Sequence, residues 1–513
     1  MSSAAAPDAI PQRIAQCLQR HRVLLLILLA HGLAWSAVNA VLVPHPDYID
    51  HWMQGRQLSL SYFEHPPGVA WLIRGLTLIF GSTEAGLEAA ALLVNLGLLA
   101  AAYAVATDLG GVRAGIFTVI GLESTAFFML KSASIQTEQP LTLSWLLGIW
   151  ALARYVRGGQ TRWLLLAGVA GGLGALSKYT MILFYLGWMT YASLVPGRRK
   201  EWWNPWVYVA GLISLAMFSP VLWWNATHDW MSFRFQLAKS AAENVTFGVT
   251  SLVFLVGTWV AYSPVLSAWG GARSVRQWRR QDGVGPLLIV LAWVALLFFV
   301  VTLAHGAYPD PHWAVLAMVT LYVWLGLQAA ELWEAGARRG LWRIYGAALL
   351  VNAVMMAGIF VHVLTPWIQG QVGGDRGDEV LGWDETVHRV EQALQARDIP
   401  PPEYVISFFY PLAVHFSLHL GSQPRSMSLE RPERNLWIDP AKVKPGNTIV
   451  VCDSDAHCRW TKRRVPRYTN YRVGPRLFVV QHHIRGIDRR IQVFGLVPKA
   501  GRSSGAAPRA ASP

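Results

Sequence analysis

Charged residues are scarce in this sequence. Asp, Glu, Lys and Arg make up 14% of the 513 residues and hydrophobic residues 53%, whereas an ordinary soluble domain has roughly 25% charged residues. Apolar runs of about 20 residues recur as far as residue 365 and are absent beyond it. The composition therefore excludes an ordinary soluble protein and predicts a multispanning membrane protein with a soluble tail.

The sequence also lacks a nucleic-acid-binding motif. The formal net charge is +14, but the excess is divided evenly between the parts of the chain before and after residue 367, and no RNA- or DNA-binding module accompanies it. We attribute the basic excess to membrane topology and to contact with anionic membrane lipid. Nucleic acid is excluded as a partner.

About eleven transmembrane helices are predicted from the apolar runs. A polar N-terminus, residues 1–22, precedes the first span at 23–43, which is too long for the core of a signal peptide. The remaining candidates are roughly 85–105, 114–130, 140–153, 163–177, 180–195, 206–224, 250–269, 285–303, 314–333 and 344–365.

The basic residues predict the orientation. With a cytoplasmic N-terminus, seventeen Lys and Arg residues fall in the inner segments and six in or near the outer loops. The positive-inside rule favours this arrangement. An odd number of spans then places the tail on the periplasmic side.

The tail is predicted to be a small α+β domain over residues 366–499. Apolar residues recur at helical spacing over 375–397, and runs typical of β-strands follow at 403–409, 447–452, 477–482 and 491–497. Residues 500–513 are rich in Ala, Ser, Gly and Pro and are expected to be disordered. In an oxidising compartment Cys452 and Cys458 could close a small disulfide loop, a pairing that the sequence leaves open, with a metal site as the alternative.

The first outer loop, residues 44–84, concentrates the polar side chains. Three carboxylates and three histidines fall within a stretch of 21 residues that is flanked by apolar segments. This density suits general-base or metal chemistry at a membrane surface. The alternative is a solvated loop whose acids cap the next helices. The six residues are His45, Asp47, Asp50, His51, Glu64 and His65.

The order of several motifs resembles a known family. The first loop carries Asp47-Tyr48, Trp52 and Tyr62-Phe63-Glu64-His65-Pro66-Pro67, and later motifs follow at 137–141, 176–180, 224–233, 311–313, 382–383 and 436–437. These are similar to motifs of bacterial GT-C membrane glycosyltransferases of the dolichyl-phosphate-mannose protein mannosyltransferase-like family (glycosyltransferase family 39). That family includes the lipid A aminoarabinose and galacturonic acid transferases. The resemblance spans about residues 20–440 and departs at Tyr48, where the family has a second acid, and at Glu64, where it has Asp.

The resemblance implies a mainly α, polytopic GT-C domain at 23–365. It also implies an inverting glycosyltransferase in the bacterial cytoplasmic membrane. Such an enzyme transfers a hexosyl or pentosyl group from a polyprenyl-phosphate carrier to a lipid, glycan or protein acceptor at the outer face. Membrane lipid is a further partner.

Asp47 matches the family's catalytic acid and is the predicted general base. Capping of the next helix and pairing with Arg56 are the alternative roles. Asp50, one helical turn further on, is predicted to share the site or to replace the missing second acid. Glu138, at the start of a span, is another candidate acid.

Cationic groups are needed beside the leaving phosphate, because a phosphate near hydrocarbon is poorly solvated by bulk water. Lys178 is the first candidate, since a lysine between two apolar runs is costly unless it is paired or reaches the interface. Arg56 and His65 are further candidates. Glu64 is predicted to bind a divalent metal or the donor, and the histidines that could complete a metal site are His65, His228, His305 and His312.

Two other classes of protein have many spans and intramembrane charges. One is a flippase or transporter of polyprenyl-linked sugars, and the other is a non-catalytic glycan-assembly protein. Transporters usually contain internal repeats and broken helices at the bilayer midplane. This sequence has no detectable repeat, and its acids cluster in outer loops, which favours an enzyme. The apolar segment 66–80, with Arg74 at its middle, is predicted to be an interfacial helix rather than a span.

Overall fold

A computed structural model describes residues 9–240, 249–278, 283–303, 310–364, 379–436, 438–484 and 487–499. The chain is mainly helical, with one small sheet near the C-terminus. The helices are α1 (Ala9–Asn39), α2 (Pro46–Gly55), α3 (Gly68–Phe80), α4 (Glu84–Glu123), α5 (Ala126–Lys131), α6 (Glu138–Gly158), α7 (Thr161–Ala175), α8 (Ile182–Leu194), α9 (Pro205–Thr227), α10 (Met231–Ser240), α11 (Val249–Ala261), α12 (Pro264–Gln277), α13 (Val284–Leu303), α14 (Val315–Glu334), α15 (Arg338–Leu364), α16 (Trp383–Gln395), α17 (Tyr410–His419) and α18 (Asp455–Tyr468). The strands are β1 (Tyr404–Ser407), β2 (Arg425–Ser428), β3 (Thr448–Cys452), β4 (Tyr471–Ile484) and β5 (Ile487–Pro498).

Contacts along the chain divide it into two compact units. The membrane unit consists of Met1–Val38 and Ala91–Met356. The mixed unit consists of Asn39–Ala90 and Ala357–Pro513. The first loop is therefore grouped with the C-terminal residues, whereas the sequence suggested domain limits at 365 and 366.

The predicted count of eleven spans is not confirmed. Within the described residues, six helices are long and apolar enough to cross a membrane. α7 and α8 have 15 and 13 residues, which at about 1.5 Å per residue is shorter than a hydrocarbon core of about 30 Å. The six helical segments are Gln19–Asn39, Glu84–Glu123, Pro205–Thr227, Val284–Thr302, Pro311–Glu334 and Arg338–His362.

The candidate span at 250–269 is a bent pair of helices and not one continuous helix. α11 and α12 are bent relative to each other by 113°. Ser263 has a positive φ of 58°, and Pro264 follows at the first position of α12. A proline has no backbone N–H for the preceding turn and disfavours helical geometry in the residue before it, so the helix breaks here.

α4 consists of two helical parts separated at Gly111, whose φ is 84°. The break lies between the two expected spans, 85–105 and 114–130. A residue with a Cβ rarely adopts this conformation, so the position favours glycine. The second half ends at Glu123 because Thr125 caps the separate short helix α5. Within the membrane unit, the Glu123 carboxylate lies 2.9 Å from the ring of buried His31.

The mixed unit contains a five-stranded sheet in the order β2-β1-β3-β5-β4. β1 is parallel to β2 and β3, whereas β5 is antiparallel to β3 and β4. Successive residues of a strand face opposite sides. Val405 and Ile449 therefore contribute to the core that includes α16 and α17, while Ile406 and Val450 contribute to the core that includes α18.

The structure confirms the four predicted strands and the helix before them. The part of the predicted helix at 375–378 lies outside the described residues, as do residues 500–513. β2, α17 and α18 were not predicted. Cys452 and Cys458 are joined by a disulfide, with their Cα atoms 5.3 Å apart, so these sulfurs are not free to act as thiolate metal ligands.

α3 fits the predicted interfacial helix. One side is buried through Val69, Ala70 and Ile73. Leu78 and Ile79 near its end are 71% and 75% exposed. A 13-residue apolar helix with one buried and one exposed side is suited to lying along a membrane surface.

Candidate active site

The candidate base lies in the first turn of α2. The side chain of His45 caps the helix by accepting a hydrogen bond from the Asp47 N–H at 3.2 Å, and Pro46 occupies the first helical position. Proline is favoured there because that N–H needs no partner within the helix. His45 and not Asp47 therefore supplies the cap, and the carboxylate of Asp47 remains half exposed, at 50%.

Asp47 is contacted by a tyrosine that the sequence did not identify. The Tyr410 hydroxyl donates to Asp47 Oδ1 at 3.2 Å and lies 3.3 Å from the Pro46 carbonyl oxygen. The alternative partner, Arg56, instead donates to the Gln423 carbonyl at 3.1 Å and lies over the Trp52 ring. The half-exposed Asp47 carboxylate therefore accepts a hydrogen bond from Tyr410 and has His45 Nδ1 3.8 Å from its other oxygen.

Asp50 lies one turn further along α2 and is buried. Its carboxylate accepts a hydrogen bond from Gln54 at 2.8 Å. Burial raises the pKa of Asp50 to about 7; the charge of Arg434 opposes this rise, whereas Glu64 and Asp47 add to it. The structure therefore groups the three predicted acids of the first loop, and one of them binds its proton near neutral pH.

This shift has a consequence for stability. The pKa of Asp50 lies above its ordinary value of 3.8, so the folded state holds the proton more tightly than the unfolded state. The stabilisation of the fold by the protonated Asp50 is complete below about pH 4. It is lost as the pH rises to about 7, and the free energy of unfolding falls by about 1.4 kcal/mol per pH unit in this range. We expect Asp50→Asn to remove this component.

The measurement is thermal unfolding in detergent between pH 4 and pH 8. The unfolding temperature of the Asn variant should rise relative to wild type as the pH increases across this range. Asp384→Asn, which changes an exposed aspartate of α16, is the matched control. Parallel curves for Asp50→Asn and wild type would show that Asp50 is ionised in the folded protein throughout.

Glu64 is held by two arginines of the tail. One terminal nitrogen of Arg434 donates to both carboxylate oxygens at 2.8 Å, and Arg431 donates at 3.1 Å. Arg434 lies within the 3₁₀ turn Pro432–Asn435. Its guanidinium carbon also lies over the Tyr410 ring, 4.2 Å from the ring centroid. Because both Glu64 oxygens accept arginine hydrogen bonds, this carboxylate is poorly arranged for metal binding.

Tyr48, at the position of the family's second acid, has a structural role. Its side chain is fully buried and its hydroxyl donates to the Leu87 carbonyl at 2.7 Å. An aromatic side chain buried with its hydroxyl bonded stabilises the packing of a helix. Tyr48 therefore anchors α2 to the start of α4 within the mixed unit.

Arg56 and His65, the two first-loop candidates for phosphate binding, are both half-buried. Burial lowers the pKa of Arg56, and the charges of Arg425 and Arg74 add to this effect. Three arginines therefore interact here, a grouping that an anion would stabilise. The His65 ring packs edge-on against His51, with centroids 5.7 Å apart.

The membrane unit contains a second ionic group. Lys178 Nζ lies 2.5 Å from Glu138 Oε1, and His312 Nε2 lies 3.4 Å from the same oxygen. The second nitrogen of His312 lies 2.6 Å from Asp310. The side chains of Glu138 and Lys178 are only 6% and 14% exposed. The structure thus brings together two predicted site residues and the motif at 311–313.

The motifs at 176–180 and 224–233 also meet. The Tyr179 hydroxyl lies 2.6 Å from Ser232 Oγ, and the Tyr179 ring packs on Phe233. These contacts place Lys178, the residue before Tyr179, at a junction between segments that are far apart in sequence. His228 stacks on Trp224, with ring centroids 4.1 Å apart.

The sequence predicts a divalent metal bound by Glu64 and histidines of the first and later loops. Within the described ranges, no three His, Cys, Asp or Glu side chains are grouped so as to hold an ion. His305 lies outside those ranges. The divalent metal remains a prediction, and no chemical step is derived from it.

Arg434, Tyr410 and Asp310 were missed in the sequence. Arg434 and Tyr410 lie more than 360 residues from their partners Glu64 and Asp47, and no local pattern distinguishes them from other tail residues. Asp310 directly precedes the motif at 311–313, and this proximity was an available signal.

The fold and these motif contacts define a class. The chain is a multi-pass membrane protein with a GT-C fold. That assignment rests on the helical membrane unit and on the following comparisons.

A family model described as dolichyl-phosphate-mannose-protein mannosyltransferase matches residues 64–224. The lipid A galacturonosyltransferase RgtD of Rhizobium johnstonii is 27% identical over 336 residues, covering 62% of this chain and 67% of RgtD. These matches confirm the resemblance found in the motifs and relate the chain to enzymes that transfer glycosyl groups.

Two solved structures have a similar fold. The crystal structure of ArnT from Cupriavidus metallidurans bound to undecaprenyl phosphate has a TM-score of 0.61 at 13% identity, covering 95% of this chain and 100% of ArnT. The apo structure of the same protein gives a TM-score of 0.61 at 14% identity, with coverage of 92% and 97%. At this identity the similarity establishes the fold.

Proposed function

We propose that the protein is an inverting glycosyltransferase that uses a polyprenyl-phosphate sugar donor. The observation that carries this proposal is the half-exposed carboxylate of Asp47, held by the Tyr410 hydroxyl beside buried acids and arginines. An accessible carboxylate with a fixed orientation is what a general base requires. The relationship to RgtD and to the mannosyltransferase family model supports glycosyl transfer.

In the proposed reaction Asp47 accepts the proton of the acceptor hydroxyl. The hydroxyl oxygen forms a bond to the anomeric carbon, while the bond from that carbon to the phosphate oxygen breaks. The electron pair leaves with the polyprenyl phosphate. One displacement inverts the anomeric carbon and needs no covalent enzyme intermediate.

We further propose that Lys178 binds the phosphate of the donor. Its ammonium pairs with Glu138, and a phosphate would supply a stronger anionic partner. Arg56 and His65 are proposed to contact anionic groups of the donor or the membrane, with Arg74 and Arg425 contributing positive charge near Arg56. Asp50 and Glu138 are assigned supporting roles as proton-holding and lysine-positioning acids.

The acceptor is proposed to be an envelope lipid or glycan. RgtD is named as a lipid A galacturonosyltransferase, so lipid A is the first acceptor to supply. A glycan or a protein carrying a free hydroxyl would satisfy the same chemistry. We propose the cytoplasmic membrane of a bacterium as the location, with eleven crossings, a cytoplasmic N-terminus and a soluble periplasmic C-terminal domain.

The orientation is testable by cysteine labelling in intact cells. With Cys17 replaced by alanine, Ala441→Cys places a thiol at an exposed tail position and Ala337→Cys places one at the exposed turn before α15. We expect a membrane-impermeant maleimide to label residue 441 from outside and residue 337 only after lysis. The reverse pattern would invert the proposed topology.

The function itself is tested with purified protein in lipid vesicles. Radiolabelled polyprenyl-phosphate sugars and lipid A extracts are supplied on the side that carries the tail. We expect label to move to the acceptor. Donor movement across the bilayer without transfer would support the flippase alternative, and neither transfer nor movement with any donor would support a non-catalytic role.

A further inference from the structure

Arg434 occupies an unusual position for a tail arginine. Its side chain is 17% exposed, its guanidinium bonds to both oxygens of Glu64, and the group lies over the ring of Tyr410. An arginine removed from water is stabilised only when its charge is paired and its planar face is covered. Glu64 supplies the opposite charge, and the Tyr410 ring covers one face of the guanidinium.

Tyr410 connects this arginine to the candidate base. It is the first residue of α17, and its hydroxyl donates to Asp47. Burial raises the pKa of Tyr410 well above its ordinary value, and the negative charges of Asp50 and Asp47 add to the rise. The phenol therefore keeps its proton and remains a donor over the whole working range of pH.

We propose that Tyr410 and Arg434 are positioning residues for Asp47, so that the C-terminal segment sets the orientation and basicity of the first-loop carboxylate. This inference rests on the proposed function of Asp47. Glu64 fixes Arg434, Arg434 fixes the Tyr410 ring, and the Tyr410 hydroxyl fixes one oxygen of Asp47. The other oxygen, Oδ2, lies 3.8 Å from His45 Nδ1, and the carboxylate is 50% exposed.

The two residues can be separated by conservative changes. Tyr410→Phe keeps the ring beneath Arg434 and removes only the hydroxyl that reaches Asp47. Arg434→Lys keeps the charge but loses the planar fork, whereas Arg434→Met removes both. Matched controls are Tyr468→Phe and Arg389→Met, at exposed positions of α18 and α16.

The kinetic test measures kcat, donor KM and the pH profile of transfer. A hydrogen bond to a charged acceptor contributes enough that we expect Tyr410→Phe to lower kcat about tenfold with little change in donor KM. Because the lost donor favoured the ionised carboxylate, the rising limb of the pH profile should move to higher pH by about one unit. Arg434→Met should move it in the same direction and Arg434→Lys less so.

A second test does not depend on activity. Carbodiimide with an amine nucleophile modifies protonated carboxyl groups, so the labelling of Asp47, quantified by mass spectrometry, falls as the pH rises through its titration. We expect the midpoint of that fall to move upward by about half a unit or more in Tyr410→Phe. Both controls should retain the wild-type midpoint.

The outcomes distinguish the two proposals. An unchanged labelling midpoint in Tyr410→Phe and Arg434→Met, with folded protein confirmed by thermal unfolding, would overturn the positioning role. A moved midpoint in a protein that transfers no sugar would support the positioning geometry and contradict the proposed function. A moved midpoint together with a moved pH profile supports both.

Discussion

Replacing Asp47 by asparagine is expected to lower kcat for sugar transfer by about 10²–10⁴-fold, the usual contribution of a general base. The amide has nearly the shape of the carboxylate and can still accept the Tyr410 hydrogen bond, but it cannot take a proton. The KM for the donor should change little, because the substitution removes chemistry and not donor binding. The measurement is initial-rate transfer by purified protein.

Asp384→Asn is the control for this experiment. It changes the same functional group at an exposed position of α16, and its transfer rate should equal that of wild type. The unfolding temperatures of both variants should lie within about a degree of the wild-type value, which corresponds to a change of a few tenths of a kcal/mol in the free energy of unfolding. Normal transfer by Asp47→Asn would remove Asp47 from the role of base.

Loss of Lys178 is expected to affect both stability and donor binding. Lys178→Met leaves the buried carboxylate of Glu138 without its ammonium partner, and breaking a buried ion pair on one side costs about 3–5 kcal/mol. The same variant should raise the donor KM, because the proposed contact with the donor phosphate is lost. Thermal unfolding and transfer kinetics measure the two effects separately.

The double variant Lys178→Met/Glu138→Gln separates the two roles. Removing both charges should restore most of the stability, since no buried charge is left unpaired. The donor KM should remain as high as in the single variant. Recovery of both properties in the double variant would mean that Lys178 serves only to neutralise Glu138.

Local features of the fold were predictable because their signals are local. The strands of the tail follow from short runs of Val, Ile and Phe, and the interfacial helix α3 from its apolar segment of limited length. β2 escaped prediction because Arg425-Ser-Met-Ser contains no β-branched or aromatic residue. It forms a strand because β1 offers it a parallel edge.

At the break between α11 and α12, the apolar composition of the segment hid the proline that marks the bend. Pro264 marks the bend, but the residues around it are apolar enough to resemble a continuous span. Hydrophobicity reports burial or membrane contact and says little about the path of the backbone within that environment. The 113° bend therefore follows from backbone chemistry that an apolar run conceals.

The candidate site was predictable in its acids but not in its partners. Asp47, Asp50 and Glu64 could be selected because carboxylates are rare in this chain and cluster in one loop. Arg434 and Tyr410 could not, since their significance comes from long-range contacts in the folded mixed unit. The tail has many arginines, and only the fold selects the two that bind Glu64, Arg431 and Arg434.

The most direct test of the account is a single-turnover mass balance. Purified protein in excess over a defined polyprenyl-phosphate sugar is mixed with acceptor, and mass spectrometry quantifies free polyprenyl phosphate and glycosylated acceptor over time. If Asp47 is the base of a sugar transfer, both products appear at the same rate and in equal amounts, and Asp47→Asn forms neither on that timescale. Acceptor that gains no sugar while the donor remains intact or merely crosses the membrane would contradict it.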